Sequence, residues 1–307
     1  MDRAGPDIEI RRQAFQWLKS QVRIHGEVLS RPVLQQGFHL QGKQIRLVGP
    51  QGIFKPRYME LPISITTVPS GPYDDEFGYD GLLLYRYRGT DPNHRDNVGL
   101  RRAMQLGTPL IYFHRIMPGK YLPAWPVFIV ADNPSQLTFS VAVDENDTRG
   151  ITVFGQVHEG YQQQQEDVFR RSYATRKFRQ RLHQSSFRER VLRAYRDQCA
   201  LCRLRHRELL DAAHILPDAE PGGEPLVSNG LSLCKLHHAA FDRYFVGVRE
   251  DYVIEVRPDI LNESDGPMLI HGLQRLHGTK IIVPRITELR PNREFLHIRY
   301  ERFRAAG

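Results

Sequence analysis

The sequence predicts an α+β protein with two domains that are joined by a basic helical segment. At 307 residues, the chain is long for a single hydrophobic core. Its first half contains short apolar runs broken by Gly, Pro, Asn and Asp, a spacing typical of a curled β-sheet or barrel with flanking helices. Its second half contains all three cysteines of the chain, grouped with histidines at metal-ligand spacing.

The elements of the first predicted domain, residues 1–160, begin with an amphipathic helix at 8–24, where apolar residues recur at helical spacing. A second helix is predicted at 97–106, because its polar and apolar residues interrupt the strand pattern. The predicted strands are 44–48, 61–68, 81–87, 110–113, 127–130, 137–143 and 151–154.

Residues 161–186 form the second predicted segment, a polar linker that continues into a cationic helix. The chain has 43 Lys and Arg against 35 Asp and Glu, a net charge of +8, which favours a polyanionic partner such as DNA. Such a helix can contact backbone phosphates without reading sequence, or it can be an ordinary solvated helix face. The candidate phosphate contacts are Arg170, Arg171, Arg176, Lys177, Arg179 and Arg181.

Four residues in the last predicted domain, 187–307, have the spacing of a structural zinc site: Cys199, Cys202, Cys234 and His237. A two-residue gap separates the members of each pair, and Cys3His is a usual ligand set for tetrahedral zinc. The alternative is that the cysteines are buried as small apolar residues and that the histidine lies at the surface. We also expect strands at 281–284 and 295–300, as a β extension of this domain.

The cysteine usage and the apolar runs bear on the compartment. An odd, clustered set of cysteines favours a reducing environment over a secreted disulfide framework. No apolar run approaches the ~20 residues that span a bilayer, and the first residues do not have the pattern of a signal peptide. We therefore expect a cytoplasmic protein that does not contact a membrane.

Between the two cysteine pairs lies a motif that starts with Asp211-Ala-Ala-His214-Ile-Leu-Pro217. It continues with Asn229-Gly-Leu-Ser-Leu-Cys234, and then with His238 and Asp242. This run resembles the HNH nuclease family of the restriction-enzyme type. Strands at 209–216 and 231–233 followed by a helix at 235–244 fit the ββα-metal fold of that family. The resemblance implies a metal-dependent DNA endonuclease, which hydrolyses phosphodiester bonds at a one-metal site.

The resemblance also implies the catalytic residues. His214 corresponds to the general base, Asn229 to the residue that orients it, and His238 to the histidine of the helix, which would bind the cation together with Asp242. Many family members have Asp or His at the position of Ala213, so Asp211 is an alternative ligand or a residue behind the ligands. We expect Mg²⁺ or Mn²⁺ at this site, although Ni²⁺ or Co²⁺ also suits a mixed His and carboxylate set.

The first domain contains a second, weaker pattern at residues 71–90, including Tyr73-Asp74-Asp75-Glu76, and at 96–100. It looks like the SRA/YDG domain, a curled sheet that flips a modified cytosine into a pocket. That resemblance implies that Tyr73 and Tyr87 stack on the flipped base while Asp75 or Glu76 hydrogen-bonds its polar edge. Arg88 replaces the usual Thr of that family. Aromatic residues on a strand also commonly pack in a core, which is the alternative for these tyrosines.

Taken together, the two resemblances predict a type IV-like, modification-dependent restriction endonuclease. It would recognise 5-methylcytosine or 5-hydroxymethylcytosine in double-stranded DNA and act in phage defence. Cutting both strands needs two active sites, so we expect a homodimer. Two alternatives stay open: an HNH nuclease activated by another signal, such as phosphorothioate DNA or a signalling nucleotide, and a reader of modified DNA without catalysis.

Overall fold

The computed structural model describes residues 4–67, 77–78, 81–144 and 161–306. It has a mixed α+β fold, and the chain divides into two compact units, Met1–Leu182 and His183–Gly307. The predicted strand at 151–154 lies outside the described residues. The predicted domain limits, at 160, 186 and 307, stay a prediction.

The first unit consists of helices around a curled half-barrel sheet. The helices are α1 (Ala4–His25), α2 (Arg31–Gln36), α3 (Arg95–Gln105) and the beginning of α4 (Tyr161–Ala194), which continues into the second unit. The strands are β1 (Leu29–Ser30), β2 (Phe38–Leu40), β3 (Lys43–Ile45), β4 (Ile53–Phe54), β5 (Ser64–Thr67), β6 (Leu83–Arg86), β7 (Leu110–Met117), β8 (Lys120–Asn133) and β9 (Thr138–Val143).

Within the described residues, the main sheet has the strand order β4-β5-β7-β8-β9-β6, and β1 pairs with β8. The pairs are antiparallel except for β5 with β7, which is parallel. A separate hairpin joins β2 and β3. The long strand β8 differs from the expected run at 127–130: it passes through Pro123 and Pro126, because pairing with β7 on one side and β9 on the other extends it.

Alternation along β7 divides the apolar residues of this unit between two faces of the sheet. Ile111 and Phe113 lie in a cluster with the buried residues of α1, among them Leu18. Leu110 and Tyr112 lie in a second cluster, to which the beginning of α4 contributes Ala174, Phe178 and Leu182. The predicted first helix is confirmed, since α1 buries the apolar residues that recur at helical spacing.

The second unit begins within α4 and contains β10 (Leu210–His214), β11 (Gly230–Cys234), α5 (Lys235–Asp242), β12 (Val246–Val248), β13 (Ile254–Val256), α6 (Pro258–Asn262), α7 (Pro267–Gly272) and α8 (Arg293–Ala306). Strands β10 and β11 form one antiparallel hairpin, and β12 and β13 form another. Its core combines apolar residues of α4, both hairpins, α5 and α8, such as Val191, Leu231, Phe241, Val246 and Leu296.

The prediction of C-terminal strands was wrong. Residues 281–284 belong to no strand, and residues 295–300 lie within α8. The buried residues of this helix, Leu296, Arg299 and Phe303, are three and four residues apart, so they share one helical face. The buried arginine concealed that helical pattern, because a charged residue at a core position does not read as apolar.

Within the residues that the structure describes, no helix combines the length and the apolar composition that crossing a bilayer requires.

Candidate functional site

The β10–β11 hairpin and helix α5 form the framework of the candidate site, as the expected ββα arrangement requires. His214, the last residue of β10, pairs with Gly230, the first residue of β11. The chain between them closes through a turn at Gly222, which has φ +81°, and Gly223, where a Cβ would lie 1.9 Å from the carbonyl oxygen of Pro217. Since neither position accommodates a side chain without strain, the two glycines fix the shape of this loop.

Asn229 holds both ends of the loop through its side chain, which is fully buried. Its Oδ1 accepts a hydrogen bond from the backbone N–H of Leu216 at 2.9 Å, and its Nδ2 donates to the carbonyls of Leu216 at 3.0 Å and Glu224 at 3.2 Å. These contacts hold the two ends of the loop together. Because Leu216 is two residues after His214, the amide also fixes the chain that leaves the histidine.

The imidazole of His214 is partly exposed and stacks on the ring of Phe187, with centroids 4.0 Å apart and planes 16° from parallel. Its Nε2 atom is buried and has no hydrogen-bond partner among the described residues. Burial lowers the pKa of His214, and the positive charge of His238 lowers it further, although nearby carboxylates oppose the shift. The ring is therefore neutral near pH 7 and able to accept a proton.

His238 lies between two carboxylates on the exposed side of α5. Its Nδ1 is 3.7 Å from Oδ2 of Asp211, and its Nε2 is 3.3 Å from Oδ2 of Asp242, one turn along the same helix. Proximity to Asp211 raises the pKa of His238. Burial opposes ionisation of Asp211, but its contacts with His238 and Lys235 hold the pKa of that carboxyl below its usual range.

Three cations that the sequence analysis did not identify surround this group. Lys235 Nζ is 2.8 Å from Asp211 Oδ2, and Arg188 Nε, from α4, is 3.5 Å from Asp211 Oδ1. Arg299 Nη2, from α8, is 3.8 Å from Asp242 Oδ1. The two arginines are far from the motif in sequence, so spacing offered no signal for them. Lys235, by contrast, is adjacent to Cys234 and three residues before His238. Residues at that i,i+3 spacing are neighbours on a helix, so the sequence did place Lys235 near His238.

The four predicted zinc ligands lie together, with ligand atoms that are all within 4.8 Å of one another. The Nδ1 atom of His237 is 3.4 Å from the sulfur of Cys199 and 3.2 Å from that of Cys234, while Cys202 and Cys234 are 4.0 Å apart. Tetrahedral ligands bound to zinc at about 2.0–2.3 Å are separated by roughly 3.5–3.8 Å, so the group fits zinc. Hydrogen bonds with Cys202 and Cys234 lower the pKa of the Cys199 thiol, which favours the thiolate.

A contact behind this group selects the nitrogen that faces it. The Nε2–H of His237 donates to the carbonyl oxygen of Gly272, at the end of α7, over 2.7 Å. That bond leaves the lone pair of Nδ1 directed to the three sulfurs, the arrangement in which a second hydrogen bond orients a metal-binding histidine. A zinc ion held there would tie β11, α5 and the chain around α7 to one point.

In the first unit, the predicted base pocket can be described only at Tyr87, because Tyr73, Asp75 and Glu76 lie outside the described residues. Tyr87 is 6% exposed, and its ring stacks on Phe139 with centroids 4.6 Å apart. Its hydroxyl donates to Asp132 and accepts a hydrogen bond from Arg101. Tyr87 thus packs in the core of the first unit in this structure.

The six predicted phosphate contacts on α4 differ in their surroundings. Arg170 and Arg171 pair with Asp144, at 2.9 and 3.6 Å. Arg179 lies over the ring of Phe77, and Arg181 is 3.5 Å from Glu27. Arg176 and Lys177 are exposed. Arg179 is exposed as well, beside its contact with Phe77.

Comparison with known proteins identifies the framework of the second unit. Residues 199–249 match the family model described as HNH endonuclease, and this range contains His214, Asn229, His238, Asp242 and all four predicted zinc ligands. No curated protein matches the chain.

Two solved structures are similar to it. The modification-dependent TagI restriction endonuclease has 15% identity and a TM-score of 0.27, covering 79% of this chain and 81% of that one. The type IV phosphorothioation-dependent restriction endonuclease ScoMcrA has 15% identity and a TM-score of 0.23, covering 84% of this chain and 57% of that one. By the family match at residues 199–249, this chain carries an HNH endonuclease domain.

Proposed function

We propose that the protein is a DNA endonuclease that hydrolyses phosphodiester bonds with one divalent cation, held by His238 and Asp242, and with His214 as general base. The observation that carries the proposal is the placement of His238 against Asp242 on α5, in the same hairpin-and-helix motif as the neutral His214. A neutral imidazole can take a proton from a water molecule that attacks phosphorus.

The donor atoms of the proposed cation site fit Mg²⁺ or Mn²⁺. Neighbouring ligands of a cation that binds at about 2.1 Å lie about 3 Å apart, close to the 3.3 Å between His238 Nε2 and Asp242 Oδ2. A bound cation would polarise the scissile phosphate and stabilise the leaving 3′-oxygen. A nitrogen and a carboxylate oxygen also accept Ni²⁺ and Co²⁺, so the donor set alone does not select one ion.

Asp211 has a different role in this proposal, behind the ligands. Its carboxylate faces Nδ1 of His238 and leaves Nε2 free to bind the cation. A carboxylate in that position fixes the tautomer and the orientation of a ligating histidine. This arrangement accounts for the absence of a ligand at Ala213, which is fully buried. Asp211, two residues earlier, lies on the same face of β10. In this proposal, that face supports His238 through Asp211 and does not supply a ligand of its own.

Each side chain of the motif then has a defined task. Asn229 fixes the loop that follows His214, and Phe187 holds the imidazole plane by stacking. Asp211 orients His238 through Nδ1, and Asp242 faces its Nε2 across the proposed cation site. The zinc-type group anchors the beginning of α5, since Cys234 and His237 flank its first residues.

For the first unit, we propose that it detects modified cytosine, 5-methylcytosine or 5-hydroxymethylcytosine, and directs cleavage of the DNA that carries it. Support comes from the sequence pattern around Tyr73, Asp75 and Glu76 and from the curled half-barrel sheet that the described residues of this unit form. Because Tyr87 stacks on Phe139 in the core, the proposed pocket rests on Tyr73 and the two acidic residues for its direct contacts. Recognition of modified DNA would occur in the cytoplasm, with a homodimer cutting both strands.

One plasmid in unmethylated, 5-methylated and 5-hydroxymethylated forms tests both parts of the proposal. We expect cleavage of a modified form in Mg²⁺ or Mn²⁺ and much slower cleavage of that form by His214→Ala. Cleavage of all three forms alike would retain the nuclease and remove the modified-cytosine reader. If only phosphorothioate DNA were cleaved, the proposed signal would be that backbone modification and not modified cytosine. A chain that binds modified DNA but cuts no form with any of the four cations would be a reader without catalysis.

A further inference from the structure

Asp242 is the last residue of a short helix, and its side chain is 55% exposed. A side chain in such a position is normally free to rotate. In this structure its two oxygens face different partners. Oδ2 faces Nε2 of His238 at 3.3 Å, and Oδ1 faces Nη2 of Arg299 at 3.8 Å. Asp242 therefore joins the proposed cation site to Arg299 of α8. Arg299 is 58 positions after Phe241, the residue before Asp242, and it lies outside the HNH match.

Arg299 is itself fixed by contacts that do not involve Asp242. Its Nη2 donates to the carbonyl oxygen of Phe241 at 2.9 Å, at the C-terminal end of α5, where the helix dipole favours a positive charge. Its guanidinium lies over the rings of Phe241 and Tyr244, 4.5 and 4.6 Å from their centroids. Because these contacts already restrict the rotation of Arg299, its guanidinium can hold Asp242 without a further loss of conformational freedom.

The burial of Arg299 argues against a purely structural residue at this position. The side chain is 8% exposed, and its Nε atom is buried without a partner in the described part of the chain. Burial of a guanidinium is unfavourable unless it is paired, and an apolar side chain of similar size would fill the same space without that cost. Among the described residues, Asp242 supplies the one carboxylate within 4 Å of it.

We propose that Arg299 is a positioning residue for the catalytic cation, which holds the Asp242 carboxylate with Oδ2 directed to the site that it shares with His238. The inference rests on the proposed function and deepens it. Arg299 acts through Asp242 and does not touch the cation. Removal of a residue behind a ligand commonly costs 10–100-fold in metal affinity, so we expect loss of Arg299 to weaken cation binding by a factor in that range.

Mn²⁺ binding to the full, zinc-containing chain provides the test, measured by titration of free Mn²⁺ with electron paramagnetic resonance. We expect Arg299→Met, which keeps the apolar bulk, to weaken binding about 10–100-fold while zinc content stays unchanged. Arg299→Lys should also weaken it, because an ammonium cannot stack on two rings and reach the carboxylate at once. Arg304→Gln is the matched control: this exposed arginine of α8 pairs with Glu301 at 3.8 Å, and its loss should leave Mn²⁺ affinity unchanged.

A double-mutant cycle separates positioning from general destabilisation. If Arg299 acts through Asp242, the effect of Arg299→Met disappears in an Asp242→Asn background. An Arg299→Met effect that persists in full there, or wild-type affinity in both Arg299 variants, would overturn the inference. If Arg299→Met loses its zinc, the Mn²⁺ affinity of Arg299→Lys, which keeps the buried charge, decides whether the inference holds. If His238→Ala binds Mn²⁺ like the wild type, the cation site of the proposed function fails, and the inference fails with it.

Discussion

At the scale of single residues, His214 shows how its surroundings change the pKa of a side chain. Stacking on Phe187 and burial of Nε2 take part of the ring out of water, which disfavours the charged form. His238 has the opposite shift, because it faces two carboxylates. The two histidines of one motif therefore have pKa values that shift in opposite directions, downward for His214 and upward for His238.

The first prediction concerns removal of the proposed general base. His214→Ala should lower the rate of DNA cleavage about 10²–10⁴-fold, the range that general base catalysis contributes. Thermal stability and Mn²⁺ affinity should change little, because the ring is partly exposed and is not a proposed ligand. Single-turnover cleavage of a plasmid measures the rate, with His206→Ala, an exposed histidine outside the motif, as control. A His214→Ala variant that cuts at the wild-type rate would assign the base elsewhere.

The second prediction is the pH profile of that same step. Because the pKa of His214 is lowered from 6.5, the neutral form prevails above that value, and protonation removes the base only in acid. The single-turnover rate should therefore rise with pH through a pKa below 6.5 and be level from there to neutral pH. Cleavage rates between pH 4.5 and 8 at saturating Mn²⁺ measure it. A rate that still rises between pH 7 and 8 would indicate a different proton acceptor.

The third prediction concerns Asn229, whose amide supplies three hydrogen bonds in a fully buried position. Asn229→Ala leaves buried backbone groups of the loop unpaired and should lower the free energy of unfolding by about 2–3 kcal/mol. Asn229→Asp is the comparison, because its carboxylate still accepts from Leu216 N–H but cannot donate to the two carbonyls. Urea denaturation measures both variants. Equal stability of the Ala variant and the wild type would contradict this role.

At the scale of elements, the zinc-type group explains why a short hairpin and an eight-residue helix can hold a site. Isolated helices of that length are marginal in water, so α5 depends on tertiary contacts. Two ligands flank its first residues, and His237 is fixed from behind by Gly272. Cysteine spacing predicted the grouping of the four side chains, but the contact with Gly272 depends on where α7 packs.

The fourth prediction follows from Cys202, the exposed member of the Cys3His group. Loss of an exposed thiol normally changes stability within about 0.5 kcal/mol, whereas loss of a structural zinc ligand couples metal release to unfolding. Cys202→Ser should therefore lower the zinc content and the melting temperature of the protein together. Elemental analysis and calorimetry measure the two, with Arg203→Ser, an exposed neighbour, as control. If the wild-type protein had the same melting temperature with and without zinc, the proposed zinc site would be rejected.

At the scale of the whole molecule, net charge and the distribution of its arginines govern the approach to DNA. The chain has a charge of +8, but several arginines of α4 already pair with carboxylates or lie over an aromatic ring. Composition therefore overstates the charge that this helix presents to a phosphate. The exposed Arg176 is the clearest candidate for a contact that positions DNA without reading its sequence.

The fifth prediction measures that contact through salt. Arg176→Ala should weaken binding to any duplex by a similar factor and lower the slope of log affinity against log salt by about 1. Fluorescence anisotropy between 50 and 300 mM NaCl gives the slope. Arg12→Ala, which removes an arginine paired with Glu9 at 2.6 Å, is the charge-matched control. Equal slopes for Arg176→Ala and the wild type would mean that this residue contacts no phosphate.

The sequence by itself determined what depends on local spacing. The α+β class, the curled sheet, the Cys3His group and the hairpin with its helix were all readable, because ligand intervals and alternation of apolar residues are local properties. The same reasoning failed at 281–284 and 295–300. In the second of these ranges a buried arginine interrupted the apolar pattern of α8, and a charged residue at a core position has no local signal.

Only the tertiary structure decided which distant groups meet. It brought Arg188 from α4 to Asp211, and Arg299 from α8 to Asp242, contacts that no interval in the sequence encodes. It also showed that Tyr87, a residue that the strand pattern made available for a pocket, has its ring against Phe139. The physical reason is the same in each case: the identity of a side chain sets what it can bind, but packing between remote elements sets which partner it has.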